Sequence, residues 1–208
     1  VCLDGGPDTL LAAVRHAAGA TEDASLVRTF VCREGQVVLL DSQTATAAAP
    51  RHDDLPAPVF VGLPRREYVA LVEMLNPMHA LWSNGRWNRI MLAHGCYWHR
   101  CRFCDTTLDY IRSYDPASPR RLADWIQRIV EETGETGFHF VDEAAPPAVL
   151  RGLAEELLRR RLVVSWWGNI RLEKTFDEGL VDLLVASGCI AVTGGIEAAS
   201  ERLLQLID

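Results

Sequence analysis

Four strand-like segments that alternate with helix-like segments constrain the fold of this 208-residue chain more than any other feature. Each strand candidate is a short apolar run, and an amphipathic stretch follows before the next run begins. Consecutive βα units of this kind predict a parallel sheet with right-handed crossovers. The pattern therefore predicts an α/β fold, without separating an open sheet from part of a (β/α) barrel. The predicted strands are 89–93, 138–141, 162–166 and 190–193.

The helices between these strands carry start and stop signals. Prolines open the first two, beginning at Pro119 and Pro147, where a missing backbone N–H costs nothing. Gly134 ends the first helix and Gly188 ends the third, as glycine does when the chain turns into the left-handed region. The predicted helices span 119–132, 147–160 and 177–187, and a last one begins at Ser200.

The first part of the chain follows a different pattern. A helix capped by Asp8 is predicted to precede a hairpin of two short strands, 26–31 and 36–40. Thr, Ala, Pro and charged residues then dominate from residue 41 to residue 64, which is typical of a linker. Because the chain begins in a strand pattern and stops in a helical one, we expect a piece of a longer protein. The predicted regions are the remnant of a preceding α/β domain at 1–40, a linker and lead-in at 41–88, and a truncated core at 89–208.

Composition excludes several classes of protein. With 49% hydrophobic and 24% charged residues the chain has the balance of an ordinary globular protein. Its formal charge of −7 argues against a nucleic-acid-binding surface. The sequence has neither an apolar run long enough to span a bilayer nor a signal peptide, so we expect a cytoplasmic protein without a membrane partner.

Three cysteines spaced C-x4-C-x2-C follow the first predicted strand directly. They are Cys96, Cys101 and Cys104. Thiolates this close together in one loop can turn toward a common point and hold a soft metal or an iron-sulfur cluster. Closed sites of these kinds take four protein ligands, so three cysteines leave one metal position for another ligand.

Two other metal sites use a similar spacing. A structural zinc site would recruit His94 or His99 as its fourth ligand, which would make the chain a zinc-stabilised binding module. A plant-type [2Fe-2S] centre would need a distant fourth cysteine, for which Cys189 is the downstream candidate. The remaining cysteines, Cys2 and Cys32, are expected to be small buried hydrophobes, as is Cys189 if it binds no metal.

The residues Gly-Cys-Tyr-Trp-x-x-Cys-x-Phe-Cys at 95–104 resemble the cluster loop of the radical S-adenosylmethionine (radical SAM) superfamily. The usual spacing is C-x3-C-x2-C, and the longer first gap with Tyr-Trp is similar to that of radical SAM proteins with a cobalamin-binding domain. The resemblance implies that Cys96, Cys101 and Cys104 bind three irons of a [4Fe-4S] cluster whose fourth iron binds S-adenosylmethionine. It also implies that the ring of Phe103 lies against the adenine, and that cobalamin is a candidate second cofactor.

Polar residues at the ends of the later strands extend the resemblance. Asp142 and Glu143 match the segment that approaches the methionine amino group, although either could instead cap the following helix. Arg171 matches a position that pairs with the methionine carboxylate, the alternative being an ion pair with Glu173. The segment containing Gly194, Gly195 and Glu197 is similar to the Gly-Ile-Glu-Ser segment, with Ala198 replacing its serine.

The resemblance implies an enzyme that cleaves S-adenosylmethionine reductively and forms a 5'-deoxyadenosyl radical. Its partners would be a substrate of unknown identity and a one-electron donor such as a flavodoxin or ferredoxin. His139 alternates with Phe138 and Phe140 and is expected to point into the barrel, as a core histidine with its hydrogen bonds satisfied rather than a catalytic base.

Overall fold

The computed structural model describes residues 7–20, 26, 29–40, 50–64, 67 and 87–207. The chain divides into two compact units, Val1–Arg51 and His52–Asp208. The strand tail predicted at residues 1–3, Cys2 and most of the predicted lead-in at 65–88 lie outside the described residues. No helix in the described ranges is long and apolar enough to cross a membrane.

The first unit consists of helix α1, Pro7–Ala17, and the antiparallel strands β1, Thr29–Arg33, and β2, Gln36–Leu40. Glu34 and Gly35 both have positive φ, which is the twist that a two-residue hairpin needs, so the predicted turn is confirmed. The helix begins one residue before Asp8, so the prediction that Asp8 caps it is wrong. Cys32 is exposed rather than buried, because it lies at the end of β1 next to the turn.

The second unit is built on a parallel sheet. Its other elements are a 3₁₀ turn at His52–Asp54, a short antiparallel strand pair, a single α-helical turn and four longer helices. After the 3₁₀ turn, the elements in chain order are β3 Trp87–Ile90, β4 Ala93–Gly95, α2 Asp109–Arg112, β5 Tyr114–Pro116, α3 Pro119–Thr133, β6 Gly137–Phe140, α4 Pro147–Arg160, β7 Ser165–Asn169, α5 Glu178–Ala186, β8 Cys189–Thr193 and α6 Glu201–Ile207.

The parallel sheet is wound in one direction. Its order is β3-β6-β7-β8, which is also the order along the chain, and all three strand pairs are parallel. Right-handed crossovers between strands in this order place the connecting helices on the same face of the sheet. Phe138, Phe140 and Trp166 accordingly pack in one core with Leu122 of α3 and Leu150 of α4. The predicted parallel α/β architecture is confirmed.

Helix boundaries agree with the sequence prediction more closely than strand boundaries. Helix α4 spans the predicted residues, and Gly134 caps α3 in the left-handed conformation, with its N–H donating to Val130 O. The first predicted strand is interrupted after Ile90, and β4 begins only at Ala93. The third predicted strand is three residues too early: Val163 is 87% exposed, and β7 begins at Ser165. The apolar side chains at 162–164 belong instead to the connection that leaves α4.

The described part of the predicted linker, 50–64, is held against the second unit from His52 onward. His52 is buried, and the ring of Trp125 meets it edge-on at 5.4 Å. Asp53 accepts a hydrogen bond from the backbone N–H of Ser118 at 2.6 Å, and the Arg121 guanidinium donates to Leu55 O at 2.9 Å. This segment therefore lies along the N-terminal end of α3, as the prediction of an extended surface segment implies.

Candidate functional site

The cysteine loop leaves the sheet through the small β4–β5 pair. Cys96 follows β4 directly, and β5 pairs with β4 across His94 and Asp115, which fixes the start of the loop. A tight turn brings the Cys104 N–H to Cys101 O at 3.1 Å. Cys96, Cys101 and Cys104 are all half-buried thiols outside any disulfide. The loop therefore presents three soft donors at one end of the parallel sheet.

The three thiols do not converge in this arrangement. Within the described residues, no three His, Cys, Asp or Glu side chains are close enough together to hold a metal ion. His99, the left-handed residue of the loop at φ 39°, has its Nδ1 3.1 Å from Cys96 O, and His94 is exposed on β4. Cys189 is also unsuited to complete a site, because burial raises the pKa of its thiol to about 11 and its Sγ lies 3.5 Å from Ala191 O.

The segment after β7 packs against the middle of the cysteine loop. The guanidinium carbon of Arg171 lies 3.6 Å from the centre of the Trp98 ring, and the same guanidinium pairs with Glu173 at 3.1 Å. Burial first, and then the negative charge of Glu173, raises the pKa of Tyr97 above its usual range. The alternative prediction of an Arg171–Glu173 ion pair is thus confirmed, and this pair also contacts the loop between Cys96 and Cys101.

Asp142 holds the backbone that leads into the cysteine loop. Its carboxylate accepts hydrogen bonds from the backbone N–H groups of Leu92 and Ala93, each at 2.9 Å. The side chain is 3% exposed, and burial raises the pKa of its carboxyl above the usual value. Pro146 occupies the cap position of α4 without a side-chain hydrogen bond, so the alternative prediction that Asp142 caps this helix is wrong. The two amides that it binds lie where the first predicted strand is interrupted.

Asn169 connects the ends of three strands. Its Nδ2 donates to Asp142 O at 3.1 Å, which lies just beyond β6, and its Oδ1 accepts from the hydroxyl of Thr193 at the end of β8. Its own carbonyl accepts from Ala145 N at 2.7 Å. Neighbouring parallel strands are thus joined by side-chain bonds at the edge where ligands bind in α/β proteins.

The other predicted cofactor-binding residues lie exposed at the same edge. Phe103 is 57% exposed, and Glu143 and Glu197 are also exposed, with Glu197 at φ 59°. Gly194 lies so close to Ile170, the residue after β7, that an added Cβ would be 3.0 Å from Ile170 O. An added Cβ at Gly195 would meet the carboxylate of Glu197. Glu143, Gly194, Gly195 and Glu197 follow the ends of β6 and β8, and Phe103 directly precedes Cys104 in the cysteine loop.

A solved structure shares this arrangement of elements. The apo form of a cobalamin-dependent S-adenosylmethionine radical enzyme, OxsB, superposes with a TM-score of 0.65 over 99% of this chain and 29% of that one, at 16% identity. This chain has the fold of an S-adenosylmethionine radical enzyme. The resemblance identified from the 95–104 segment is confirmed, while closure into a barrel and a preceding cobalamin domain stay predictions.

Two curated relatives share part of this sequence. An uncharacterized methyltransferase of Pyrococcus horikoshii is 26% identical over 157 residues, which cover 74% of this chain and 31% of that protein. The anaerobic magnesium-protoporphyrin IX monomethyl ester cyclase of Rubrivivax gelatinosus is 31% identical over 121 residues, covering 56% of this chain and 21% of the cyclase. No family model matches the chain. The chain spans less than a third of the length of each of these three proteins.

Two features of this radical SAM fold were missing from the sequence prediction of the site. The contact between Trp98 and Arg171 joins residues far apart in the chain. In the sequence, the one indication of it was the presence of aromatic residues between Cys96 and Cys101. The bond from Thr193 to Asn169 depends on the register of β7 with β8, which the misplaced third strand obscured.

Proposed function

We propose that this chain is the cysteine-loop part of a radical SAM enzyme in which Cys96, Cys101 and Cys104 hold a [4Fe-4S] cluster. The observation that carries the proposal is the position of three half-buried thiols on one loop, at the strand ends of a fold shared with an S-adenosylmethionine radical enzyme. The donor set fits the group, since three thiolates leave one iron for S-adenosylmethionine. When bound, this cluster supplies the electron that cleaves S-adenosylmethionine to a 5'-deoxyadenosyl radical, which takes hydrogen from a substrate.

The chain's own residues would orient the loop and the second ligand. Asp142 fixes the backbone at Leu92 and Ala93, through which the loop leaves the sheet. Arg171 and Trp98 hold the middle of the loop against the exit of β7. The exposed carboxylates of Glu143 and Glu197 are free to approach an ammonium group or ribose hydroxyls at this edge.

Arg171 would bind the methionine carboxylate with only some of its N–H groups, because others are already used within the protein. One of its amino groups already faces Glu173 at 3.1 Å, and its face is stacked on Trp98. A guanidinium carries five N–H donors, so one that pairs with a protein carboxylate can also donate to a second carboxylate. We therefore keep Arg171 among the cofactor-binding residues, with the ion pair to Glu173 setting its orientation.

Cobalamin and an external electron donor complete the proposal. The structural neighbour is named as cobalamin-dependent, and the relatives are named as a methyltransferase and a cyclase. We propose that the whole protein binds cobalamin and receives electrons from a flavodoxin or ferredoxin.

A zinc-stabilised module is the other function considered from the sequence, and the geometry does not favour it. His94 is exposed on β4, and the His99 ring is placed against a backbone carbonyl of the loop. A structural zinc site would need one of them beside all three thiols. The fold neighbour likewise supports the enzyme rather than the module.

Anaerobic reconstitution tests the proposal directly. The full chain is incubated with iron and sulfide, and its iron, sulfide and zinc contents are measured with the EPR spectrum of the reduced protein. We expect a [4Fe-4S] signal that changes when S-adenosylmethionine is added. Cys96→Ala, Cys101→Ala and Cys104→Ala should each abolish it, and Cys32→Ala is the matched control because its thiol is exposed in the other unit. Stoichiometric zinc without a cluster would refute the proposal.

A further inference from the structure

The face of the parallel sheet opposite the helices carries a row of large polar and aromatic side chains. Register places Arg89 of β3 beside His139 of β6, and His139 beside Trp167 of β7. The flanking strand residues Ile90, Phe138 and Trp166 are buried against the helices, so alternation directs the row to the other face. We call this face, defined by Trp87, Arg89, His139 and Trp167, the inner face.

Two members of the row are held rigidly. The rings of His139 and Trp167 are stacked with their centroids 3.7 Å apart and their planes 5° from parallel. Both residues are half-buried, and each is fixed to a neighbouring strand by the parallel ladder. The stack therefore sets the plane of the imidazole and covers one of its faces.

The inner face has hydrogen-bond donors that lack protein partners. His139 Nε2 and Trp87 Nε1 are both buried atoms without a hydrogen-bond partner, and burial without a partner is costly. An indole nitrogen can only donate, and the imidazole nitrogen donates in one of its two tautomers. Arg89, exposed between them on β3, adds a guanidinium with five donors.

Negative charge is missing from the same surface. The described strand positions that share the inner face carry no carboxylate: they are Trp87, Arg89, Gly137, His139, Ser165, Trp167, Asn169, Ala191 and Thr193. A surface that offers donors and a cation without a protein acceptor is complementary to a ligand that brings oxygen acceptors and negative charge. Trp87 on the same strand and His139 on the neighbouring strand add aromatic rings near Arg89, which favour an apolar or planar body attached to that group.

We propose that the inner face binds an organic oxyanion, a carboxylate or phosphate ester, between Arg89 and His139. Arg89 and His139 are each the next-to-last residue of their strand, and His139 precedes Asp142 by three residues, roughly 10 Å at about 3.3 Å per residue. The site is therefore set back from Asp142, which holds the backbone where the cysteine loop begins. It rests on the proposed function in one respect only, which is that the bound oxyanion is then the substrate of the radical reaction.

Calorimetric titration of the full chain with benzoate, phenyl phosphate and the neutral analogue benzamide tests the proposal. Iron and S-adenosylmethionine are left out, so failure to form a cluster cannot affect the result. We expect benzoate or phenyl phosphate to bind at least about tenfold more tightly than benzamide, because a charged hydrogen bond contributes that much. The tighter of the two identifies the oxyanion class.

Two variants and a control locate the site. Arg89→Gln should remove the preference for the anion. His139→Phe keeps a ring stacked on Trp167 while removing Nε2, and should weaken anion binding by about fivefold. Arg128→Gln changes the charge equally at an exposed position of α3 and should leave binding unchanged.

Equal affinity for benzoate and benzamide, no binding of either anion, or an equal loss in Arg128→Gln would each overturn the oxyanion site. If Arg89→Gln fails to fold, His139→Phe decides the question alone. Anion binding in a chain that never forms a cluster would keep the site and refute the radical SAM function, so the two proposals fail separately.

Discussion

The guanidinium of Arg171 lies over the indole of Trp98, its central carbon 3.6 Å from the ring centre, and so connects the segment after β7 to the gap between the first two cysteines. The longer gap therefore has a structural use, since the added length includes an aromatic ring that an arginine covers.

Replacing Arg171 should loosen the cysteine loop in a graded way. Arg171→Lys keeps a charge opposite Glu173 but loses the planar stack, while Arg171→Ala loses both. A stacked cation on tryptophan contributes about 0.5–2 kcal/mol. We expect iron content after anaerobic reconstitution to fall from wild type to Lys to Ala, with Arg128→Lys unchanged. Identical iron content in all four proteins would show that the stack does not position the loop.

Removing the Asp142 carboxylate should destabilise the second unit. Asp142→Ala leaves the backbone N–H groups of Leu92 and Ala93 without their acceptors, at about 1–3 kcal/mol each. Asp142→Asn retains one amide oxygen and should lose roughly half as much. Urea unfolding measures both. Equal stability of the Ala and Asn variants would contradict this role, and Glu143→Ala is the matched control because Glu143 is exposed.

Asp142 should also give a distinctive pH dependence. Burial raises its pKa in the folded chain above the ordinary value of 3.8, so the folded state holds this proton more tightly than the unfolded state. Stability that depends on Asp142 is therefore greatest below the ordinary pKa and falls as pH rises through the folded pKa. We expect the difference in unfolding free energy between wild type and Asp142→Asn to move in favour of the variant as the pH rises above the ordinary pKa of 3.8. A difference that is constant with pH would exclude a raised pKa.

His139 should titrate below the usual histidine range. Burial first, and then the positive charge of Arg89, lowers its pKa below 6.5 in the folded chain. Its contribution to stability is present above pH 6.5 and is lost as pH falls through the folded pKa, because the unfolded state binds the proton first. NMR titration of the imidazole should show this low value, and Arg89→Gln should raise it while Arg128→Gln does not. A titration midpoint unaffected by Arg89→Gln would remove Arg89 from the surroundings of this ring.

Gly194 and Gly195 should respond differently to alanine. A Cβ at Gly194 would lie 2.9 Å from Leu172 Cγ and 3.0 Å from Ile170 O. The second of these atoms belongs to the backbone and cannot move aside. At Gly195 the obstacle is the end of the Glu197 side chain, which can rotate away. We expect Gly194→Ala to cost about 1–3 kcal/mol in urea unfolding and Gly195→Ala much less. The reverse order would mean that the turn after β8 is packed differently.

Local chemistry explains which parts of the fold could be predicted from the sequence. Pro119, Gly134 and Pro147 act within one turn of their own position, so the helices that they start or stop were placed to within a residue. The position of β7 depends instead on which neighbour its residues pair with, and the apolar Leu162-Val163-Val164 drew the prediction three residues early. Pairing register is a long-range property that periodicity does not contain.

In the candidate site, too, local sequence features could be predicted and long-range contacts could not. Spacing alone identified three thiols on one loop, and the structure places them there. The support beneath them could not be predicted, because Asp142 lies 50 positions from Leu92 and binds its backbone, which has no sequence signature. For the same reason Asp142 was predicted only as a ligand or a helix cap, whereas its carboxylate is already engaged with two amides.

The bonds made by Asn169 have a consequence for how this edge can change. One amide group spans the ends of β6, β7 and β8, so a displacement of any of these strand ends alters the hydrogen bonds of the other two. Asp142 transmits the same displacement to the entrance of the cysteine loop, because its carbonyl binds Asn169 while its carboxylate binds Leu92 and Ala93. The ends of these strands and the start of the cysteine loop are thus coupled through one set of hydrogen bonds. A substitution that adapts one strand end to a new ligand would have to be matched at Asn169 before the loop could keep its geometry.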